Sequence, residues 1–157
     1  MEYQTVRKRY AQLEEIREPF LTRARDSAEF TIPSLIPREA HSRTTKLYTP
    51  YQGIGARGTN NLASKLLLAL LPPNTPFFRL AIDEFTMAEI AGQSGMKGEF
   101  EKALGSLERV VMNEMEVNNF RTTIFEALKH LIIGGNCLLY ITPELSMKVY
   151  HLDRYVC

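Results

Sequence analysis

The 157-residue sequence is 45% hydrophobic and 24% charged with a formal net charge of +1, the composition of one soluble globular domain. Such a balance excludes a chain that grips nucleic acid through a general surplus of Lys and Arg. Two cysteines, Cys137 and Cys157, and three scattered histidines, His41, His130 and His151, give no disulfide framework and no metal-ligand spacing.

The N-terminus is charged from its start, and the longest apolar stretches, LASKLLLALL and LKHLIIGGNCLLYI, are too short to span a bilayer and are interrupted by Lys65 or by Lys129, His130 and a glycine pair. An unprocessed, cytosolic chain is therefore the default expectation. Cys137, inside CLLYI, is expected to be a small core residue, and the histidines to be solvated or core residues.

Apolar residues recur at Val6, Tyr10, Leu13, Phe20, Ala24 and Ala28 with charged residues between them, a helical spacing. Pro19 interrupts it, and a proline is favoured in the first turn of a helix but costly inside one. Two helices, over about 5–17 and 19–30, are the expectation. Residues 31–54, with Pro33, Pro37 and Pro50, show no sustained period and read as an extended linker or surface arm, long for a connection within one compact domain.

The stretch QGIGARGTNN follows, with a formal G-x-G-x-x-G at Gly53, Gly55 and Gly58. A dinucleotide site of that form needs a buried strand before it and an acidic residue about 20 positions later. The preceding TTKLYTPYQ is polar and carries Pro50, and Asp83 comes late. A P-loop fails more clearly, because Thr59 and Asn60 stand where the lysine and metal-binding hydroxyl belong. A turn feeding a helix is the simpler reading, with a nucleotide-binding enzyme domain as the alternative.

A helix over about 58–71, with Leu62, Leu66, Leu67, Leu70 and Leu71, is apolar on most sides and is expected to be buried before Pro72 and Pro73 end it. FFRLAID alternates Phe78, Leu80 and Ile82 against wetter neighbours and predicts a strand. Thr86 and Glu89 have capping-box spacing for a short helix. Phe100, Leu104, Leu107, Val111 and Met115 mark an amphipathic helix over 97–117, and after Asn118 and Asn119 another helix ends at Gly134 and Gly135. CLLYITPELSMKVYHLDRYVC predicts a hairpin. Its strand-like pattern persists to Cys157, as expected of a fragment of a longer chain.

No catalytic constellation emerges. Ser64 has no histidine near it in sequence, and Asp83 with Glu84, or Glu114 with Glu116, point apart in a strand or helix. The notable polar group is Arg57, Asn60, Asn61 and Lys65 at the entry of a leucine-rich helix. One reading is local capping by Asn; the other is a subunit interface, where Arg is enriched.

FTIPSLIP at Phe30–Pro37, GARGTNNLASKLLLALLPP at Gly55–Pro73, NNFRTTIFEALKHLIIGGNCLLYI at Asn118–Ile141 and the closing KVYHLDRYVC closely resemble, in that order, the N-terminal part of portal proteins, or head-to-tail connectors, of short-tailed podovirus-type phages. The resemblance implies an α+β wing-type region with several amphipathic helices and few strands, divided as a helical arm over 1–30, the Pro-rich linker over 31–54, and helices plus strands over 55–157. It implies a structural ring, commonly of twelve copies, at one capsid vertex, through which double-stranded DNA is pumped by the terminase motor and later leaves to the tail. Its partners would be the capsid, scaffold, terminase and tail proteins, with no membrane, no cofactor and no enzymatic activity of its own. Such a chain would reside in the virion and, during assembly, in the host cytoplasm. The stem, clip and crown regions of the longer family chains would follow Cys157, so self-assembly of this length alone is in question. In that setting Arg57, Asn60, Asn61, Lys65 and also Arg121 are the subunit-interface candidates.

Overall fold

The apolar period that starts at Val6 runs without interruption to Phe30 in the computed structural model, which describes residues 5–38, 44, 46–73, 75–82 and 97–156. One helix, α1 (Val6–Phe30), replaces the two expected, with Pro19 in its interior. An internal proline costs about 3 kcal/mol through a lost hydrogen bond and a clash with the preceding turn. Here tertiary anchors hold the helix on both sides of the break. Beyond Pro19, Leu21, Ala24 and Ala28 are buried in a cluster with Ile36, Ile133 and Leu152. Before it, the Arg17 guanidinium donates to the main-chain carbonyls of Tyr155 at 2.8 Å and Asp153 at 3.1 Å.

The chain after α1 turns back on it at once. Leu35 N–H bonds the Ile32 carbonyl at 3.0 Å, Ile36 is only 3% exposed, and Arg38 pairs with Asp26 at 2.7 Å and with Glu29. Helix α2 (Ile54–Leu70) begins four residues before the expected start. It rests on Thr59 and Ala63, and the expected burial of its leucines holds in part: Leu71 is buried and Leu66 and Leu67 are half-buried, while Leu62, Leu68 and Leu70 are exposed, Leu68 at 56%. Small residues form the fully buried part of its inner face because they let two backbones approach closely, which leaves several of the larger side chains outside.

Residues 77–82 form no strand. Their alternation is real, but the segment finds no ladder; Leu80 N–H instead bonds the Glu108 carboxylate at 2.7 Å. The expected Thr86–Glu89 capping box and the Asp83–Glu84 pair lie outside the described residues. Helix α3 (Lys97–Val117) has the expected bounds, and α4 (Phe120–Gly134) follows after two residues. The tight reversal uses Asn119 in the left-handed region, φ 54°, a conformation that asparagine tolerates. Asn118 closes it by donating to the Glu114 carbonyl at 2.9 Å. Gly135, φ 72°, ends α4 with its N–H on the Leu131 carbonyl at 2.9 Å.

The hairpin pairs β1 (Leu138–Ile141) antiparallel with β2 (Met147–Tyr150), with Leu139 opposite Val149. In its turn Leu145 N–H bonds the Thr142 carbonyl, and Thr142 N–H bonds that of Ser146. The strand pattern stops at Tyr150, and Leu152–Arg154 form a 3-10 turn whose Leu152 enters the core. The architecture is α+β, with α4 at its centre: α1, α2, α3 and β2 all pack on it. Its sequence explains this, since Phe120, Ala127, Leu128, His130 and Ile133 are buried around much of its circumference.

Candidate assembly surface

The early start of α2 changes the role open to its polar residues. Asn60 and Asn61 lie nearly two turns inside the helix, and neither caps it; Gly53 is the N-cap, and no side chain serves. Arg57, Asn61 and Lys65 are spaced at i, i+4 and i+8, which puts them on one line along the helix, opposite Thr59 and Ala63. All three are exposed, with Ile54 and Leu68 exposed on the same face. Asn60 stands to one side, its carbonyl accepting the Ser64 hydroxyl at 2.8 Å. That bond is within the helix and gives Ser64 no base. The outward face thus alternates long cationic and amide donors with apolar side chains, the chemistry of a protein contact.

Arg121 does not join this group. It sits in the first turn of α4, and its guanidinium donates to the Pro72 carbonyl just past the other end of α2, at 2.8 Å. It pins the α2 exit to the α4 entry within the chain.

The glycine spacing has a local explanation. A Cβ on Gly55 would fall on the Phe30 carbonyl oxygen and lie 3.1 Å from Thr31 Cα, whereas one on Gly53 or Gly58 would meet nothing within 4 Å. Close approach is needed at one glycine only, and what approaches is the C-terminal end of α1. No strand precedes it over residues 46–53. Nothing in this arrangement supports the nucleotide-binding alternative.

Two contacts escaped the sequence reading, the first being the pairing of a histidine whose core position was among the expectations. His130 is 1% exposed and packs edge-to-face on His151, ring centroids 4.4 Å apart, with neither His130 ring nitrogen hydrogen-bonded; His151 Nδ1 is 2.8 Å from the Leu35 carbonyl. Burial foremost, and then the neighbouring His151, hold His130 below its ordinary pKa of 6.5. The pair is a core contact and reaches no third ligand: among the described residues no group of three His, Cys, Asp or Glu is placed to hold a metal. His41 lies outside the described residues. The second is the clamp of Arg17 on residues 153 and 155, beside a cleft of about 310 Å³ lined by Ile16, Phe20, Gly134 and Leu152, with no second charged group in it among the described residues. Cys137 is half-buried, and that burial raises its thiol pKa. Among the described residues no helix is long and apolar enough to cross a membrane.

Comparison with known proteins bears on this surface. Residues 3–157 match the family described as bacteriophage head to tail connecting protein. The chain is 44% identical over 152 residues to the portal protein of Escherichia phage T7, the match covering 94% of this chain and 28% of that one. It is likewise 44% identical over 151 residues to the portal protein of Enterobacteria phage T3, and 33% identical over 140 residues to that of Enterobacteria phage SP6, covering 94% and 89% of this chain and 28% and 27% of those relatives. The chain thus spans little more than a quarter of the length of these relatives.

Proposed function

The chain belongs to the bacteriophage head to tail connecting protein family, and on that basis we propose that it forms the peripheral N-terminal part of a portal subunit. In this reading the subunits close into a ring, commonly of twelve copies, at one capsid vertex of the virion. Double-stranded DNA enters through the ring, driven by terminase, and leaves through it to the tail. The contribution of this region is structural; no reaction is assigned to it. Capsid, scaffold and tail proteins are its partners, and assembly takes place in the host cytoplasm.

The observation that carries the reading is the outward face of α2, where Arg57, Asn61 and Lys65 alternate with exposed Ile54 and Leu68. Among the described residues the Arg57, Asn61 and Lys65 side chains make no hydrogen bond or ion pair, which leaves them open to a contact outside the fold. In the complete product of the coding frame, Arg57→Ala and Asn61→Ala are expected to weaken ring formation, seen by light scattering on sizing and by electron microscopy, with unchanged subunit melting. Normal rings from both variants would remove α2 from the assembly surface.

A further inference from the structure

We propose that the paired rings of His130 and His151 form an acid-sensitive latch, which holds the strap over residues 31–36 and the turn over residues 151–155 on α4 near neutral pH and frees both together in mild acid. This goes beyond the portal reading and does not rest on it.

His130 is 1% exposed on α4, and no protein group accepts from either of its ring nitrogens. A neutral imidazole tolerates that setting far better than an imidazolium, which would lose its hydration and gain no acceptor in exchange. Its edge-to-face partner is a second imidazole, His151, with ring centroids 4.4 Å apart, so a charge on one ring opposes a charge on the other. His130 can therefore hold a proton only where water reaches it. Displacing His151, the ring laid against it, opens that route.

His151 does not move alone. Its Nδ1 lies 2.8 Å from the Leu35 carbonyl. The residues that follow on each side of that tie, Ile36 and Leu152, are buried in one cluster with Leu21, Ala24, Ala28 and Ile133. Loss of the ring's position thus breaks the tie and draws on both apolar seats. The strap has few other anchors. Ile36 fills a seat floored by small residues, since a Cβ on Gly134 would lie 3.2 Å from Ile36 Cδ1 and 3.7 Å from Ala24 Cβ. Leu35 N–H bonds Ile32 within the strap itself, and the Arg38 pairs with Asp26 and Glu29 are largely exposed and add little. A segment held by so few buried contacts opens at lower cost than α4, which also buries Phe120, Ala127 and Leu128. Release is therefore local.

The charges around the pair do not supply the missing acceptor. On α4, Glu126 favours a proton on His130 and Lys129 opposes it, while Asp153 beyond the latch favours it. On α1, Arg17 donates to the carbonyls of Leu152, Asp153 and Tyr155 and so adds a cation to the same turn, and Arg25 pairs with Glu18. The buried face of α2, Thr59 and Ala63, brings no charge, and Lys148 of β2 is exposed. Burial first and His151 second outweigh the carboxylates and keep His130 below 6.5. The open state binds the proton more readily than the closed one, so opening is favoured as pH falls through that value.

The test is hydrogen exchange read by mass spectrometry on the complete product of the coding frame, with rates corrected for the pH dependence of intrinsic exchange. Between about pH 7.5 and about pH 5.5, one imidazole that protonates only in the open state favours opening by at most about tenfold. Protection of peptides covering residues 31–36 and 151–155 is expected to fall several-fold, up to that limit, while peptides from α3 keep theirs. In His130→Met the fall is expected to vanish. His151→Phe keeps a ring on His130 but cannot bond the Leu35 carbonyl, and is expected to lower protection of residues 31–36 about fivefold at both pH values, the loss of one hydrogen bond. The latch is overturned by an unaltered protein whose two segments show no fall, by an equal fall in His130→Met, by a fall spread evenly over α3, or by a strap indifferent to His151→Phe. Should His130→Met fail to fold, the pH contrast in the unaltered protein and the His151→Phe comparison still decide the matter. None of these readouts involves ring formation, so the portal reading stands or falls separately.

Discussion

Gly55 and Gly58 stand three residues apart on α2 and meet opposite surroundings. At Gly55 an added methyl collides with main-chain atoms of Phe30 and Thr31, which cannot rotate away. At Gly58 it meets open space. Gly55→Ala is therefore expected to lose at least about 2 kcal/mol by forcing α2 away from α1, while Gly58→Ala gains about 0.5–1 kcal/mol through helix propensity. Urea unfolding of the two variants checks both signs. The sequence pattern announced a close backbone approach but not its partner, since a phosphate and a carbonyl impose the same demand on Cβ. His130 was less legible still. Its contact with His151 depends on the chain returning past α4 after the hairpin, and no local spacing encodes that. Because its pKa lies below 6.5 in the fold, the unfolded chain binds more protons at this site as pH drops below 6.5, so stability is complete above that value and falls towards the lowered one. His151, Glu126, Lys129 and Asp153 surround it. The difference in unfolding free energy between about pH 7.5 and about pH 5.5 is expected to shrink in His130→Met, which keeps the volume and removes the titration.

Among the elements, periodicity was legible wherever a helix had one apolar face, as in α3 and α4, and in the two runs that pair as the hairpin. It misled where tertiary contacts outweighed local preference. Pro19 argued for a break by a valid rule, and the break is prevented by the Arg17 clamp on one side and the Leu21–Ala24–Ala28 face on the other, both fixed by distant residues. If the proline is held against its preference, Pro19→Ala should stabilise the domain by about 1–2 kcal/mol, less than the full helix penalty because the unfolded chain also gains freedom. A rise in melting temperature with unchanged helical circular dichroism is the expected result. A fall would mean that a bend at this position is part of the packing. FFRLAID erred in the other direction: alternation describes which side chains are wet, and a strand also needs a partner strand, which sequence alone does not supply.

At the scale of the molecule, exposed large hydrophobic side chains outnumber buried ones among the described residues. They are grouped: Ile54 and Leu68 on α2, Leu107, Val110 and Val111 on α3, and all four residues of β1. The hairpin has two strands and an apolar strand exposed, an arrangement marginal in water unless something packs on it. The leucine-rich sequence pointed to burial, and within this chain that burial is only partial, on Leu66, Leu67 and Leu71. These patches make a concrete prediction for the 157-residue chain purified alone. It is expected to bind the dye ANS and to sediment with a concentration-dependent mass, because burying exposed apolar area at about 25 cal/mol per Å² favours association. Leu139→Thr with Ile141→Thr on β1, which keeps β-propensity, is expected to reduce both signals, and Leu68→Gln on α2 to reduce them further. If the unaltered chain is instead a dye-silent monomer at every concentration, these faces need no covering, and the argument from exposure to assembly fails on α2, α3 and the hairpin together.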